Sequence, residues 1–361
     1  MKKLFGSLLF IFSCASAFSQ DQPAGKVHGY LFGDYYYKMG GENVKAVSST
    51  QYSDSALNKS GAFQIRRIYL YYEHNLSEKF FAQFLLEAND KSVEYTADKN
   101  GKPTKDGRHT VFVKLAYLEW KDIIPQGNLA IGMVPTPSWA LSEKLWNYRS
   151  IEKTITDMRG LGGASDIGVT LRGKFGNDGL FGYAFMIGNG NGQKPENNKS
   201  KKYYGSLSAK PLKSLTLEVY GDRESKIMNS QSHETMSRTT LKGLAAYQNE
   251  KFTLGAELMS QTQKKVTDTT DVKPFGLSLF AWAPIPGADK LAAFARFDTY
   301  DPNRDISTDF KENFISLGLD YTPIKNVHIM PNIWLNSFSG KGGAKREMDK
   351  VARITFFYVY K

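Results

Sequence analysis

The chain reads as an all-β protein: a 16-stranded antiparallel transmembrane β-barrel whose third long loop folds inward. Three observations carry that reading. Beyond the N-terminal segment there is no apolar run of ~18 residues, and mean hydropathy is −0.41, which excludes helical membrane spans. Apolar and polar residues instead alternate, as they do in strands with one oily and one wet face. The links between the alternating segments are themselves alternately short and long. That wiring puts tight turns on one rim of a barrel and long loops on the other; a soluble β-sandwich does not need it.

The first twenty residues read as a secretory signal: Lys2 and Lys3, an apolar run from Leu4 to Phe12, and the small-residue site Ala15-Ser-Ala17. Residues 21–361 then form one domain. Ile11-Phe-Ser-Cys14 loosely resembles a lipoprotein site, although Phe12 fits it poorly. Cys14 is the only cysteine, so the exported chain has no disulfide or thiol chemistry. Formal charge is +11. In an exported protein such a charge points to anionic lipid head groups, lipopolysaccharide included, or to anionic solutes. Nucleic acid is not an expected partner.

Strands are expected over Val27–Lys38, Ala62–Asn75, Glu78–Asn89, Val111–Lys121, Gly127–Val134, Ser165–Phe175, Leu180–Gly188 and Tyr203–Pro211. The second half continues with Ser214–Glu224, Ser237–Asn249, Lys251–Gln263, Lys273–Ala283, Lys290–Tyr300, Phe310–Thr322, Asn326–Ser337 and Asp349–Lys361. Both chain ends then fall on the short-turn rim. Ala116, Leu118 and Trp120 share one face with Lys114, while Tyr117 and Glu119 take the other. Ala352, Ile354, Phe356, Tyr358 and Tyr360 make the last strand an outward row. Trp120, Trp282, Tyr358 and Tyr360 fall near strand ends, where an aromatic girdle belongs. Pro135 to Ser165 breaks the rhythm. It holds two prolines, two tryptophans and two arginines, and no amphipathic helix of useful length fits it. A loop that long is usually functional.

Several stretches resemble the phosphate-selective porin O and P family and its general-porin relatives. They are Phe63-Gln-Ile-Arg-Arg-Ile-Tyr-Leu70, Ala116-Tyr-Leu-Glu-Trp120, Gly132-Met-Val-Pro-Thr-Pro137, Tyr148-Arg-Ser-Ile-Glu-Lys153, Asp166-Ile-Gly-Val169, Gly188-Asn-Gly-Asn-Gly192 and Arg296-Phe-Asp-Thr-Tyr-Asp-Pro-Asn303. They occur in family order over most of the chain. The resemblance implies a trimeric outer-membrane diffusion channel narrowed by its third loop. The chain departs from the pattern by ending in Tyr360-Lys361 rather than a terminal phenylalanine.

Strand parity assigns Arg67, Arg172, Lys174, Lys242, Arg296 and Arg353 to the lumen, against Glu73, Glu87, Glu119, Glu218, Glu257, Asp298 and Asp320. Of these, Arg67, Glu119, Arg172, Arg296, Asp298 and Arg353 are the expected pore lining. Lys114 is ambiguous because it shares parity with Trp120. The inward loop adds Lys144, Arg149, Lys153 and Arg159 at the constriction, facing Glu143, Glu152 and Asp157. Rings of one sign select ions, so a mixed wall predicts weak anion preference at best.

No serine-nucleophile motif occurs, and the five histidines lack metal-ligand spacing, so no enzyme and no resident cofactor is expected. One segment carries a calcium-loop register: Asp301, Asn303, Asp305 and Glu312 supply oxygens, with Ser307 and Asp309 between them. Ile306 stands where that loop needs glycine, so a solvated rim loop is the plainer account. The reading is a channel for small hydrophilic solutes. The alternative is a surface binding protein that uses its long loops.

Overall fold

Sixteen long strands close a single antiparallel sheet on itself. The computed structural model describes residues 25–41, 58–93, 109–228, 235–267, 270–306, 310–340, 343 and 345–361. The expected signal segment and Cys14 lie outside the described residues. The strands are β1 (Lys26–Gly40), β2 (Ser60–Asn75), β3 (Phe80–Val93), β4 (His109–Ile124), β5 (Gly127–Pro135) and β6 (Ser165–Phe175). Next come β7 (Phe181–Gly188), β8 (Lys202–Leu212), β9 (Leu215–Met228), β10 (Thr235–Gln248) and β11 (Thr253–Thr267). The chain ends with β12 (Thr270–Val272), β13 (Phe275–Pro284), β14 (Leu291–Asp301), β15 (Phe310–Ile324), β16 (Val327–Gly340) and β17 (Asp349–Tyr360). The short β12 only extends the β11 hairpin, turning much of the expected Lys264–Val272 link into ribbon.

Each strand pairs with its sequence neighbour, and β1 pairs with β17 from Gly29 opposite Tyr360 to Gly40 opposite Lys350. Closure matters physically, because an unpaired amide in hydrocarbon costs several kcal/mol and a closed barrel leaves no edge. Outside, the alternation exposes Ile131, Ile187, Leu207, Val219, Leu241, Leu317 and Ile354. These have no apolar core to enter, so the hydrophobic effect places them against lipid.

Two β-bulges redirect the wall. Between Phe32 opposite Arg67 and Gly33 opposite Ile65, one extra residue, Arg66, enters β2. Arg66 and Arg67 are consequently both buried inside, though adjacent residues normally face opposite ways. The second bulge lies where Leu85 pairs with Leu115 but Leu86 pairs with Val113. It turns Lys114 inward to bond Glu87 at 2.7 Å. The expectation that Lys114 shares a face with Trp120 is therefore corrected: parity flips at the bulge, and Val111 and Trp120 both point outward.

Trp120 and Tyr358 are exposed as a girdle requires, and Tyr360 donates its hydroxyl to the Tyr69 carbonyl at 2.6 Å. Trp282 does not belong with them. Its indole N–H bonds the Leu145 carbonyl inside the barrel at 3.1 Å, because the third long loop offers it an acceptor there.

That loop spans the gap between β5 and β6 and contains two short helices that the sequence did not announce, α1 (Ala140–Trp146) and α2 (Ile155–Met158). Seven and four residues are below the length at which helical periodicity can be read. Asn147 ends α1 in the left-handed conformation, with φ 63°.

The lipid-facing row is directly testable. Leu241→Arg places a charge mid-strand on the outer face and should cost about 2–4 kcal/mol in urea unfolding from lipid vesicles, whereas Leu241→Phe should cost under about 1. Equal midpoints for the two variants would mean that this face does not meet hydrocarbon.

Candidate functional site

The interior is a loop laid against one side of the wall, with an open space left on the other. Apolar residues of the loop fill the first side. Leu145, Trp146, Tyr148 and Ile151 pack on Leu244, Ala246, Phe280, Phe294 and Met330. Ile155 and Leu161 pack on Met259 and Tyr300, and Met158 packs on Phe314 and Trp334. The wall is shaped to admit them: a side chain on Gly276 would stand 2.8 Å from the Ile155 Cδ1 atom.

Charged residues hold the loop in place. Arg66 Nη1 and Arg353 Nη2 each donate to the Ile151 carbonyl at 3.2 Å, and Arg66 also reaches the Ser150 carbonyl. Arg296 donates to the Lys153 carbonyl and forms a 2.5 Å ion pair with Asp298. Three strands thus clamp the segment 150–153. Arg159 pairs with Glu312 at 2.6 Å, and Thr156 donates to Glu257. Lys242 donates to the Ser138 carbonyl at 2.7 Å while pairing with Glu218.

The expected lumen residues are placed in two different ways. Arg296, Asp298 and Arg353 are almost fully buried beneath the loop and face no open space. Arg159, expected at the constriction, is buried as well. Arg67 shares Glu87 with Lys114, at 3.3 and 2.7 Å. Arg172 stays partly exposed, paired with Glu119. It borders a cavity of about 800 Å³ between the first arm of the loop and the β5–β9 wall, together with Lys144, Lys174 and Glu218.

On the loop itself, Arg149 bonds Glu143 at 3.1 Å and Lys153 bonds Asp157 at 3.3 Å. Burial raises the Glu143 carboxyl above its ordinary range, against the pull of Arg149. Burial opposes the charge on Asp157 too, yet Lys153 and Arg149 hold that carboxyl below its ordinary range.

Arg66 was missed by strict alternation. The signal was present, since Phe63 and Ile65 are exposed at odd positions whereas Leu70 and Tyr72 are exposed at even ones, so the parity must flip between them. Inward aromatics were missed too. Tyr30, Tyr69, Tyr71 and Phe32 form a contiguous inner wall, with Tyr30 and Tyr69 centroids 4.5 Å apart.

The described residues of the calcium register have protein partners. Asp305 pairs with Lys273 at 2.6 Å, Glu312 is held by Arg159 inside the barrel, and the Asn303 side chain accepts backbone N–H bonds from Lys273 and Asp305. Asp301 caps the Asn303 amide at 3.1 Å. Protein donors thus occupy oxygens that a cation would need. Among the described residues no group of three or more His, Cys, Asp or Glu could hold a metal; Ser307 and Asp309 lie outside them.

No protein-family model matches the chain, and no curated protein matches it. Solved structures do. The outer membrane channel DcaP of Acinetobacter baumannii superposes with a TM-score of 0.64 at 11% identity, over 93% of this chain and 96% of that one. The fold is that of the outer-membrane porins. An anion-selective porin from Comamonas acidovorans matches at 0.60 and 16% identity, over 93% and 99% of the two chains. OmpT of Vibrio cholerae, in a trimer form, matches at 0.59 and 12%, with coverage of 93% and 99%. In each case the superposition takes in nearly the whole of both chains.

The clamp predicts a loosened loop when it is cut. Arg159→Ala strands the buried Glu312 carboxylate and should cost about 3–5 kcal/mol of loop docking. Single-channel recordings should then show larger, noisier currents than wild type. Currents identical to wild type would show that this ion pair does not hold the loop.

Proposed function

We propose that this protein is an outer-membrane channel through which small hydrophilic solutes diffuse, without chemistry. One observation carries the reading. A closed barrel with an apolar exterior keeps a charged cavity of about 800 Å³ beside an inward loop, and a wall packed solid would leave no such space. The likeness to porins supports it, and those relatives that are trimers support a homotrimer here. The resemblance to the phosphate-selective O and P family rests on the sequence stretches given above.

Weak anion preference follows from how the charges are spent. Arg172, Lys242, Arg149 and Lys153 each have an acidic partner within 4 Å, so they contribute dipoles rather than net charge. Lys144 and Lys174 add positive charge at the cavity margin without an opposing ring. A field of that kind favours anions modestly and falls with salt.

Three measurements bear on this. Planar-bilayer recordings should show discrete open-pore steps; silence from correctly folded protein would favour the surface binding protein. Lys144→Glu combined with Arg149→Glu should move the reversal potential in a salt gradient toward cations, and an unmoved potential would take the loop out of selectivity. The pH dependence has a definite sign. As pH falls, Glu143 protonates before ordinary carboxylates, leaving Arg149 with one negative neighbour fewer while Asp157 stays ionised, so anion preference rises early in the acid titration. Glu143→Gln should abolish that early step.

A further inference from the structure

The inner wall carries a second space that ion passage does not require. It is a cavity of about 150 Å³ on the short-turn side of the loop, floored by Phe32 and Phe357 and bordered by Tyr30 and Tyr148. A cavity of roughly this size accepts one six-membered ring. The aromatic surface continues beyond it along the strands. Tyr30 contacts Phe357 edge-on at 5.8 Å and Tyr71 at 6.1 Å, and Tyr71 stacks on His28 at 4.7 Å with planes 8° apart. Tyr30, Tyr71 and Phe357 are all half-buried, so each keeps surface toward the lumen.

Aromatic rings turned into water are costly unless something covers them. The polar groups beside them say what kind of ligand would do so. Asn147, Arg149, Asp320 and His328 border the same cavity. These groups already hold one another: Arg149 pairs with Glu143 at 3.1 Å, and His328 Nδ1 lies 2.9 Å from Asp320 Oδ1. A site whose arginine is already paired and whose lining includes the Asp320 carboxylate has little to offer a lone anion. A purely apolar solute would desolvate these groups without replacing their hydrogen bonds. A pyranose meets both demands, because its C–H face lies on the electron-rich face of an aromatic ring while its rim hydroxyls both donate and accept.

We propose that this cavity, with the aromatic strip of Tyr30, Tyr71 and Phe357, is a binding site for neutral sugar rings inside the barrel. The site takes one ring under the loop, and the strip lets adjoining rings of an oligosaccharide lie along β1 and β2. Its role as a relay for sugar passage rests on the channel reading; binding itself does not.

Methyl glucoside and maltose serve as probes, with inorganic phosphate and benzyl alcohol as comparators. Calorimetry on the detergent-solubilised full chain should show saturable heats with both sugars. Bilayer recordings should show brief sugar-dependent interruptions of current. Tyr30→Ala and Tyr71→Ala should each raise the half-blocking maltose concentration about tenfold, and Tyr30→Trp, which keeps a ring face, should retain wild-type block. Absence of saturable sugar binding to wild type overturns the site, whatever the variants do. So does sugar binding that survives both alanine substitutions, or competition for the cavity by phosphate alone or benzyl alcohol alone. Null calorimetry beside normal open-channel current would sink the site and leave the channel standing. Saturable heats without any current would do the reverse.

Discussion

An irregular backbone lying inside a barrel must find partners for its carbonyls, and that constraint shapes most of this interior. At membrane depth such a segment persists only where protein or trapped water meets its polar groups. Here arginines from β2, β14 and β17 converge on the carbonyls of Ser150, Ile151 and Lys153. Guanidinium suits the task because it holds several donors in a fixed fork and stays charged at any relevant pH. Each clamp arginine also keeps a polar partner on the wall: Arg66 has Asp34, Arg296 has Asp298, and Arg353 has Asn332. The loop is thereby tied to strands from both halves of the chain.

That use of arginine explains why counting inward charges misjudges the lumen. A guanidinium spent on a buried carbonyl and a neighbouring carboxylate projects little field into the solvent path. Arg296 shows the point well, since its ring contacts with Trp146 and Phe314 at 5.5 and 5.6 Å enclose it further. The residues left to shape a solute's environment are those that border open space, namely Lys144, Arg172 and Lys174 at the larger cavity and Tyr30 at the smaller one. The arginines that hold the loop and the arginine that borders the larger cavity are thus different residues on one continuous wall.

The period-two rhythm was enough to locate all the barrel strands, the rim on which each link lies, and the inward loop, because lipid outside and water inside impose opposite demands on successive residues. It failed where one residue was inserted. Lys114 cannot be placed by counting from Trp120, nor Arg66 by counting from Phe63, because a bulge changes the count without changing composition. Trp282 failed for a different reason. Its position near a strand end fits a girdle, and only the Leu145 carbonyl, far away in sequence, shows why it turns inward. The two loop helices are held by packing against the wall rather than by their own periodicity, so local pattern could not reveal them. For the calcium register, spacing says nothing of competing donors: Lys273 and Arg159, distant in sequence, reach two of its described oxygens.

The bulges also decide where aromatic surface faces the lumen. Beyond its bulge, β2 points Tyr69 and Tyr71 inward instead of Leu70 and Tyr72, so the insertion of Arg66 creates the clamp and sets the inner tyrosine row in one step. Without it, the residues now facing lipid would line the lumen and the tyrosines would face hydrocarbon. The β4 bulge does the same for Lys114 against Tyr117, placing a cation and a ring together on the inside. A strand that must present charge near the outer rim and aromatic surface toward the inner one, while staying oily outside throughout, needs such a change of phase. The β2 phase change falls where the loop is clamped, since Arg66 reaches the Ser150 and Ile151 carbonyls, while the β4 one turns Lys114 toward Glu87 on the neighbouring wall.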